Sequence, residues 1–526
     1  MTTVTAPIPS HTLGDRIHIA RDRVVDITLD AVLGDALAPG ANPLDLDVSV
    51  TLTGPDAVVI TVPAFYDEAL GLRARVSFPH AGAWRVTVHG TEGVLLSATE
   101  LEADVSSERA GRGALGTDPD FPRHFRWADQ TSFFFLGYEA DWLLMVDQRD
   151  EELTRVREVV DSISSAGFTA VTVNAYAHSF RQYVDEDLEA DPRWVVPTIA
   201  PWPGGNDSPD YSRLDPSFFA HMDRAISLLH EAGLVTHLMV HVYNKDVNWP
   251  EPGTADDERY WRQIIARYQA FGSIIWDVAK ETYHRPAEYI WTRLALFRHL
   301  DGYQRLVTAH DTNPPPRVDW GRQFVRFENE LIDALTDVTA DQILQDIHAD
   351  AVEHHRRWAK PYINIEFGYE SGIDDLPSDH PDHDQSWQEV TRRMWHIVLG
   401  GAYPNYYYRN TAWSLFIPFP EPPGYRAARV LSDFWGGIDH RRLVPLAGVA
   451  RAEVPVMVRG EIGREYVAMT DTATEIEIDI RADDGELHAT WLAPLTGERQ
   501  QIGALTSGTH TLTPPSDWTL TVLHVN

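Results

Sequence analysis

The sequence predicts an α/β protein, a (β/α)8 TIM barrel flanked by an antiparallel β-sandwich at each end of the chain. Three observations carry this reading. Between about residues 120 and 445, short apolar runs alternate with longer amphipathic stretches of helical period. On either side of that region the chain reads as short strands that alternate apolar and polar residues. A small, polar, Gly/Pro-rich run, SSERAGRGALGTDPDFPR, separates the first region from the second and reads as a linker. The corresponding domains are residues 1–118, 119–445 and 446–526.

The N-terminal strands are LDLDVSVTLTG, AVVITVPAFYD, LRARVSFPHAGAWRVTVHG and TEGVLLSATELEADV, broken at Gly, Pro, Asn and Asp as in an antiparallel sandwich. The central region offers FFFLGYEADW, FTAVTVNAYA, LVTHLMVHVY, SIIWDVAKE, RLVTAHDT, ADQILQDIHA, PYINIEFGYE and a last strand near GGAYPNYYYRN. Helical patterns lie between them, such as EELTRVREVVDSISSAG and DPSFFAHMDRAISLLHEAG, both stopping at a Gly. Eight βα units in roughly 325 residues match a barrel. A doubly wound open sheet is the alternative, but no Gly-rich phosphate loop follows the first strand. The tail returns to strands in EYVAMTDTATEIEIDIRA, ELHATWLAPLTGERQ and SDWTLTVLHVN.

The formal charge is −34, from 78 acidic against 44 basic residues. Nucleic acid and anionic membranes need a positive face, so neither is an expected partner, and an anionic polymer is a poor substrate. The absence of Cys excludes disulfides, a thiolate nucleophile and Cys-based zinc sites. The N-terminus lacks the basic start and apolar core of a secretion signal, and no segment approaches ~18 uncharged apolar residues, so a cytoplasmic protein is expected. Seventeen Trp and nineteen Tyr supply flat faces that stack on sugar rings, although the same residues also fill cores. The expected partner is a small carbohydrate, with homo-oligomer formation left open and no cofactor or metal expected.

Barrel active sites lie at the C-terminal ends of the strands, which makes those ends informative. In order they offer Glu139, Asp141 and Trp142; Asn174 and Tyr176; His241, Tyr243 and Lys245; Lys280 and Glu281; His310 and Asp311; Asp346 and His348; Glu366 and Tyr369; and Tyr407, Tyr408 and Arg409, with Trp413 just beyond. Two carboxylates stand out. Glu281 follows the apolar run SIIWDVA, and Glu366 follows PYINI, on the fourth and seventh strands. Those two ends face each other across a barrel mouth. Glycoside hydrolysis with retention needs two carboxyls ~5–5.5 Å apart, one to protonate the leaving oxygen and one to attack the anomeric carbon. Neighbouring carboxyls also push each other's pKa values apart. Adjacent strand residues point to opposite sides, so Lys280 is expected to turn away from Glu281 or to hold another carboxylate at the rim.

A Glu on the fourth strand and a Glu on the seventh resemble the arrangement of the clan A glycoside hydrolases. WDVAKE and NIEFGYE resemble the acid/base and nucleophile strands of the apiosidase-like branch of these barrels, whose opening is also similar to FFFLGYEADWLL. The strand-rich N-terminal region resembles the sandwich that precedes such barrels, and WLAPLTGE with SDWTLTVLHVN resembles the small collagen-binding-like sandwich that follows them. The resemblance implies a retaining, exo-acting hydrolase with Glu281 as general acid/base and Glu366 as nucleophile. Glu139, Asp141, Trp142, Asn174, Tyr176, His241, Tyr243, Lys280, His310, Asp311, Asp346, Tyr369, Tyr407, Arg409 and Trp413 would surround the sugar. One position departs from the pattern: most clan A enzymes have Asn before the acid/base, where it holds the sugar 2-hydroxyl, and this chain has Lys280. Asn174 or His241 would take over that contact, or the sugar differs from the common pyranosides.

Two other readings compete, a non-catalytic carbohydrate-binding barrel and a metal-dependent hydrolase. The second finds little support. The first strand ends in YEADW rather than HxH, His354 and His355 are helical neighbours on different faces, and DLPSDHPDHDQ, with His380 and His383, has the composition of a solvated loop. No GxSxG element points to a serine hydrolase.

Overall fold

The computed structural model describes residues 7–32, 41–178, 193–312, 330–372, 384–412, 415–483 and 485–526. Eight parallel strands form a ring: β1 (Gly137–Glu139), β2 (Ala170–Asn174), β3 (Val235–Val242), β4 (Ile274–Lys280), β5 (Leu306–Thr308, continued by His310–Thr312), β6 (Thr339–Gln342), β7 (Tyr362–Glu366) and β8 (Tyr403–Tyr408). Each pairs with the next in chain order, and β8 returns to β1 with Tyr407 opposite Glu139. The ring passes through β5 at Ala309, the first segment pairing with β4 and the second with β6. One helix follows each strand: α1 (Thr154–Ser165), α2 (Pro216–Glu231), α3 (Ala255–Tyr268), α4 (Ala287–Leu300), α5 (Glu330–Leu335), α6 (Ile347–Arg357), α7 (Trp387–Leu399) and α8 (Gly424–Gly436).

The elements form where local chemistry favours them. Helix α2 starts at Asp215, whose carboxylate accepts the Ser217 and Phe218 N–H groups, with Pro216 in the first turn. Gly233, just past its end, sits at φ +76°, which is the role its sequence position predicts. Strands β2, β3, β4, β7 and β8 are buried along their whole length, because helices cover one side and the barrel interior the other. That explains why they read as continuous apolar runs rather than alternating ones.

Antiparallel sheets flank the ring. Near the N-terminus a four-stranded sheet and a five-stranded sheet share one buried core, in which Val25, Ile27, Ala74 and Val76 meet Val50, Leu52, Val86 and Val88. Near the C-terminus a six-stranded and a three-stranded sheet share a second core around Tyr466, Ile476, Ile478, Trp491 and Leu523. The run expected as a linker is partly ordered instead: one strand continues through Arg109, and Leu115–Thr117 begins a three-stranded sheet. Backbone contact explains the difference. The Leu115 N–H donates to the Gly272 carbonyl at 2.9 Å, and a Cβ on Gly272 would lie 2.6 Å from the Gly113 oxygen.

Buried charge fastens both flanks to the barrel. Arg75, 1% exposed, pairs with Asp26 of its own sheet and with Asp223 of α2, while Arg267 of α3 pairs with Asp223 and with Asp67. On the other side Arg459, also 1% exposed, donates to the carbonyls of Val398, Leu443 and His440 at 2.6, 3.0 and 3.0 Å and lies over the Trp435 ring. Among the described residues no helix is long and apolar enough to cross a membrane.

Replacing Arg459 with Met keeps the stem but leaves three buried carbonyls without this donor. The expected loss is about 2–4 kcal/mol of unfolding free energy, read as a lower urea midpoint at an unchanged slope.

Candidate active site

The C-terminal ends of the strands converge on one buried ammonium group. Lys280, the last residue of β4, reaches across the ring to Glu139 and Asp141 at the end of β1 and to Glu366 at the end of β7. Its Nζ donates to Glu139 Oε1, lies 3.3 Å from Asp141 Oδ1 and 2.7 Å from Glu366 Oε1, and sits 5.1 Å from the centre of the Tyr407 ring. The carboxylates have further donors. Tyr369 donates to Glu366 Oε2 at 2.6 Å, Tyr407 donates to Asp141 Oδ2, and Asn405 Nδ2 donates to Glu139 Oε2 at 3.0 Å. Asn174 Nδ2 donates to the Asp141 backbone carbonyl at 3.1 Å. Lys245, after β3, lies 3.6 Å from Asp141.

The electrostatics follow from burial and these contacts. Burial disfavours the charged form of Lys280, but Asp141, Glu139 and Glu366 outweigh it and hold the ammonium well above its ordinary range. Glu366 is also buried, and Lys280, followed by His310, still keeps its carboxylate below the ordinary value. Glu139 goes the other way: burial, aided by the charges of Glu366 and Asp141, pushes it well up against the pull of Lys280.

Glu281, the first residue past β4, has φ +58° and ψ +59°, a left-handed backbone that a residue other than Gly rarely adopts. Such strain persists only where surrounding structure enforces it, and it gathers at functional sites. Here it breaks the strand alternation, so that Lys280 and Glu281 both serve the mouth. His284 Nε2 lies 3.2 Å from Glu281 Oε2. Burial opposes ionisation of Glu281, yet the His284 contact and the charges of Lys280 and Lys245 bring it down to about 2. The charge of Glu281 in turn acts on Glu366, raising that group's pKa. His310 on β5, which feels the charges of both, is fully buried, with neither ring nitrogen hydrogen-bonded. Burial, with Lys280 next, lowers its pKa to about 4, so the ring is neutral at physiological pH. Its backbone N–H donates to Asp277, whose other oxygen lies 2.7 Å from His237 Nε2 one layer below.

The structure therefore gathers Glu139, Asp141, Asn174, Lys280, Glu281, His310, Glu366, Tyr369 and Tyr407 from the sequence expectations. Lys280 does not sit at a rim: it is buried, and one of the groups it holds is Glu366 itself. Trp142 is fully buried in the hydrophobic core. Tyr176 packs edge-on against Trp202, Phe218 and Trp249. His241 stacks on Trp249 at 4.0 Å with its Nδ1 at 3.1 Å from the Tyr243 hydroxyl, and Arg285 covers the Tyr243 ring. Arg409 is buried 3.6 Å from Asp384.

The sixth strand needs correction. It ends at Gln342, so Asp346 is an exposed residue at the start of α6, and His348, in the first turn, lies beside His396 of α7. The buried carboxylate that β6 contributes is Asp341. Trp413, the side chain of Asp311, and His380 and His383 lie outside the described residues. Sequence reasoning missed Asn405 and Asp341. Asn405 could have been found from the two-residue spacing to Tyr407, which puts both on the same face of β8.

Comparison with known proteins agrees with this geometry. A family profile described as "Apiosidase-like, catalytic domain" matches residues 120–432, more than half of the chain. No curated protein matches. Among solved structures, a candidate glycoside hydrolase from Bacteroides vulgatus ATCC 8482 superposes with a TM-score of 0.76 at 16% identity, over 97% of this chain and 99% of its own. A glycoside hydrolase family 5 protein from the same organism gives 0.59 at 15% identity, over 79% and 92%. A third structure, named a glycoside hydrolase, gives 0.57 at 16%, over 79% and 97%. The carboxylate-lined barrel mouth and the profile spanning that barrel lead to one statement: the chain belongs to the apiosidase-like catalytic domain family of glycoside hydrolases.

Proposed function

We propose that the protein is an exo-acting glycoside hydrolase that removes a terminal sugar from a small glycoside by double displacement. Glu366 is the nucleophile and Glu281 the general acid/base. The observation that carries this reading is the 2.7 Å approach of Lys280, the chain neighbour of Glu281 at the end of β4, to Glu366 at the end of β7. A profile over residues 120–432 and neighbours named as glycoside hydrolases support it.

In the first step a Glu366 oxygen attacks the anomeric carbon while the glycosidic C–O bond breaks, and Glu281 gives its proton to the departing oxygen. In the second, Glu281 takes a proton from water, and that water releases the sugar from the Glu366 ester. The neutral His310 ring and Asn174 Oδ1 are buried without hydrogen-bond partners, which suits them to hold sugar hydroxyls. The high negative charge of the chain favours a neutral sugar over a uronic acid polymer. One observation favours the alternative of a binding-only barrel: in the resting structure both oxygens of Glu366 are already engaged, by Lys280 and Tyr369.

A panel of nitrophenyl glycosides that includes furanosides separates the two. Hydrolysis is expected on at least one member, with Glu281→Gln and Glu366→Gln each lowering turnover by roughly 10²-fold or more on a folded protein. Sugar binding in a calorimeter with no release of nitrophenol would favour the binding-only reading. The low pKa of Glu281 adds a pH prediction. A general acid must be protonated, so activity falls as pH rises past the pKa of Glu281, and the optimum lies on the acid side. Replacing His284 with Ala removes a contact that lowers this pKa, so the alkaline limb of the kcat/KM profile is expected to move to higher pH.

A further inference from the structure

We propose that Lys280 is a positioning residue that keeps the Glu366 carboxylate as the anion and in one orientation, while Glu139 and Asp141 keep Lys280 itself in place through the reaction cycle. The inference rests on Glu366 being the nucleophile and goes beyond it by assigning the machinery behind that carboxylate.

A buried ammonium needs a counter-charge, and one carboxylate would meet that need. Lys280 has three, Glu139 at the end of β1, Asp141 just past it, and Glu366 at the end of β7. The surplus has a chemical use. When Glu366 forms an ester with a sugar, its negative charge disappears, and a cation paired with Glu366 alone would be stranded in the interior. Asp141 supplies that counter-charge in the free and the esterified states, and Glu139, whose ionisation the Glu366 charge opposes, is released to ionise when that charge disappears, so Lys280 keeps its proton throughout. The bond made is Glu366 oxygen to anomeric carbon, and the bond broken is the glycosidic C–O. The proton comes from Glu281, so Lys280 neither gains nor loses one.

Orientation follows from the same contacts. Lys280 lies 2.7 Å from Glu366 Oε1, and the Tyr369 hydroxyl holds Oε2 at 2.6 Å, so the carboxylate is fixed from two strand ends. The other groups that face Lys280 are the Tyr407 ring beneath it, Lys245 beyond Asp141, Glu281 beside it in the chain, and His310 on β5. Lys245 and His310 do not substitute for it. Lys245 lies against Asp141, and His310 is neutral at physiological pH.

The test substitutes Lys280→Met and follows the Glu366 carboxyl directly. Its infrared band, identified by difference against Glu366→Gln, is recorded across pH in the parent and the variant, alongside kcat/KM. The proposal expects protonated Glu366 to persist to higher pH in the variant. The acid limb of kcat/KM, which reports ionisation of Glu366, moves to higher pH in the variant, with a tenfold loss of the anion for each unit of displacement on that limb. If the single variant does not fold, Lys280→Met with Glu139→Gln removes one carboxylate along with the cation, and the same result is expected of it. A Glu366 band that titrates as in the parent, or a loss of activity equal at every pH, overturns the proposal. A moved band in a protein that cleaves no glycoside upholds the Lys280–Glu366 pairing and removes the hydrolase reading instead.

Discussion

The ion cluster centred on Lys280 constrains everything around the barrel mouth. An ammonium buried among carboxylates is stable only if each charge is met, and the charges here come from β1, β4 and β7, strands far apart in sequence. The cluster therefore forms only when the ring has closed with the correct register. Its periphery obeys the same demand: Asn405 on β8 satisfies Glu139, Tyr407 satisfies Asp141, and Tyr369 satisfies Glu366. Site and fold are specified by one set of contacts.

The surroundings are built to hold that layer still. Below it, Asp277 joins the His310 backbone to His237, so that β3, β4 and β5 are tied by a buried polar bridge. Outside it, the flanking sheets are docked through buried arginines rather than through apolar surface alone. Arg75 and Arg267 share Asp223 on one side, and Arg459 reaches three carbonyls on the other. Such contacts fix orientation well because guanidinium groups bind in planar, forked geometry. The flanks thereby brace α2, α3 and α7, the helices that back strands of the site.

Much of this was legible in the sequence, for a physical reason. A parallel strand covered on both faces must be apolar until it ends, so the first polar residue after each run marks the mouth. Glu139, Lys280, Glu281, His310 and Glu366 are singled out that way. The rule failed at β6, where Ile343 and Leu344 continue the apolar run past the strand and moved the expected end from Asp341 to Asp346 and His348. It was silent on pairing: alternation said that Lys280 would turn from Glu281, and only the left-handed turn at Glu281 shows how both reach the site. Aromatic residues were the weakest guide. Trp142 and Tyr176 resemble sugar-stacking rings in sequence but are spent on core packing, because an aromatic near a strand end carries no mark of which side it faces.

The claim on which the account depends is that Glu366 carries the sugar during turnover. Incubating the enzyme with a fluorinated glycosyl fluoride of a cleaved sugar, then mapping the adduct by peptide mass spectrometry, tests it most directly. The account predicts one sugar mass on the peptide that contains Glu366 and none in the Glu366→Gln variant. An adduct on another residue of the active enzyme would contradict it.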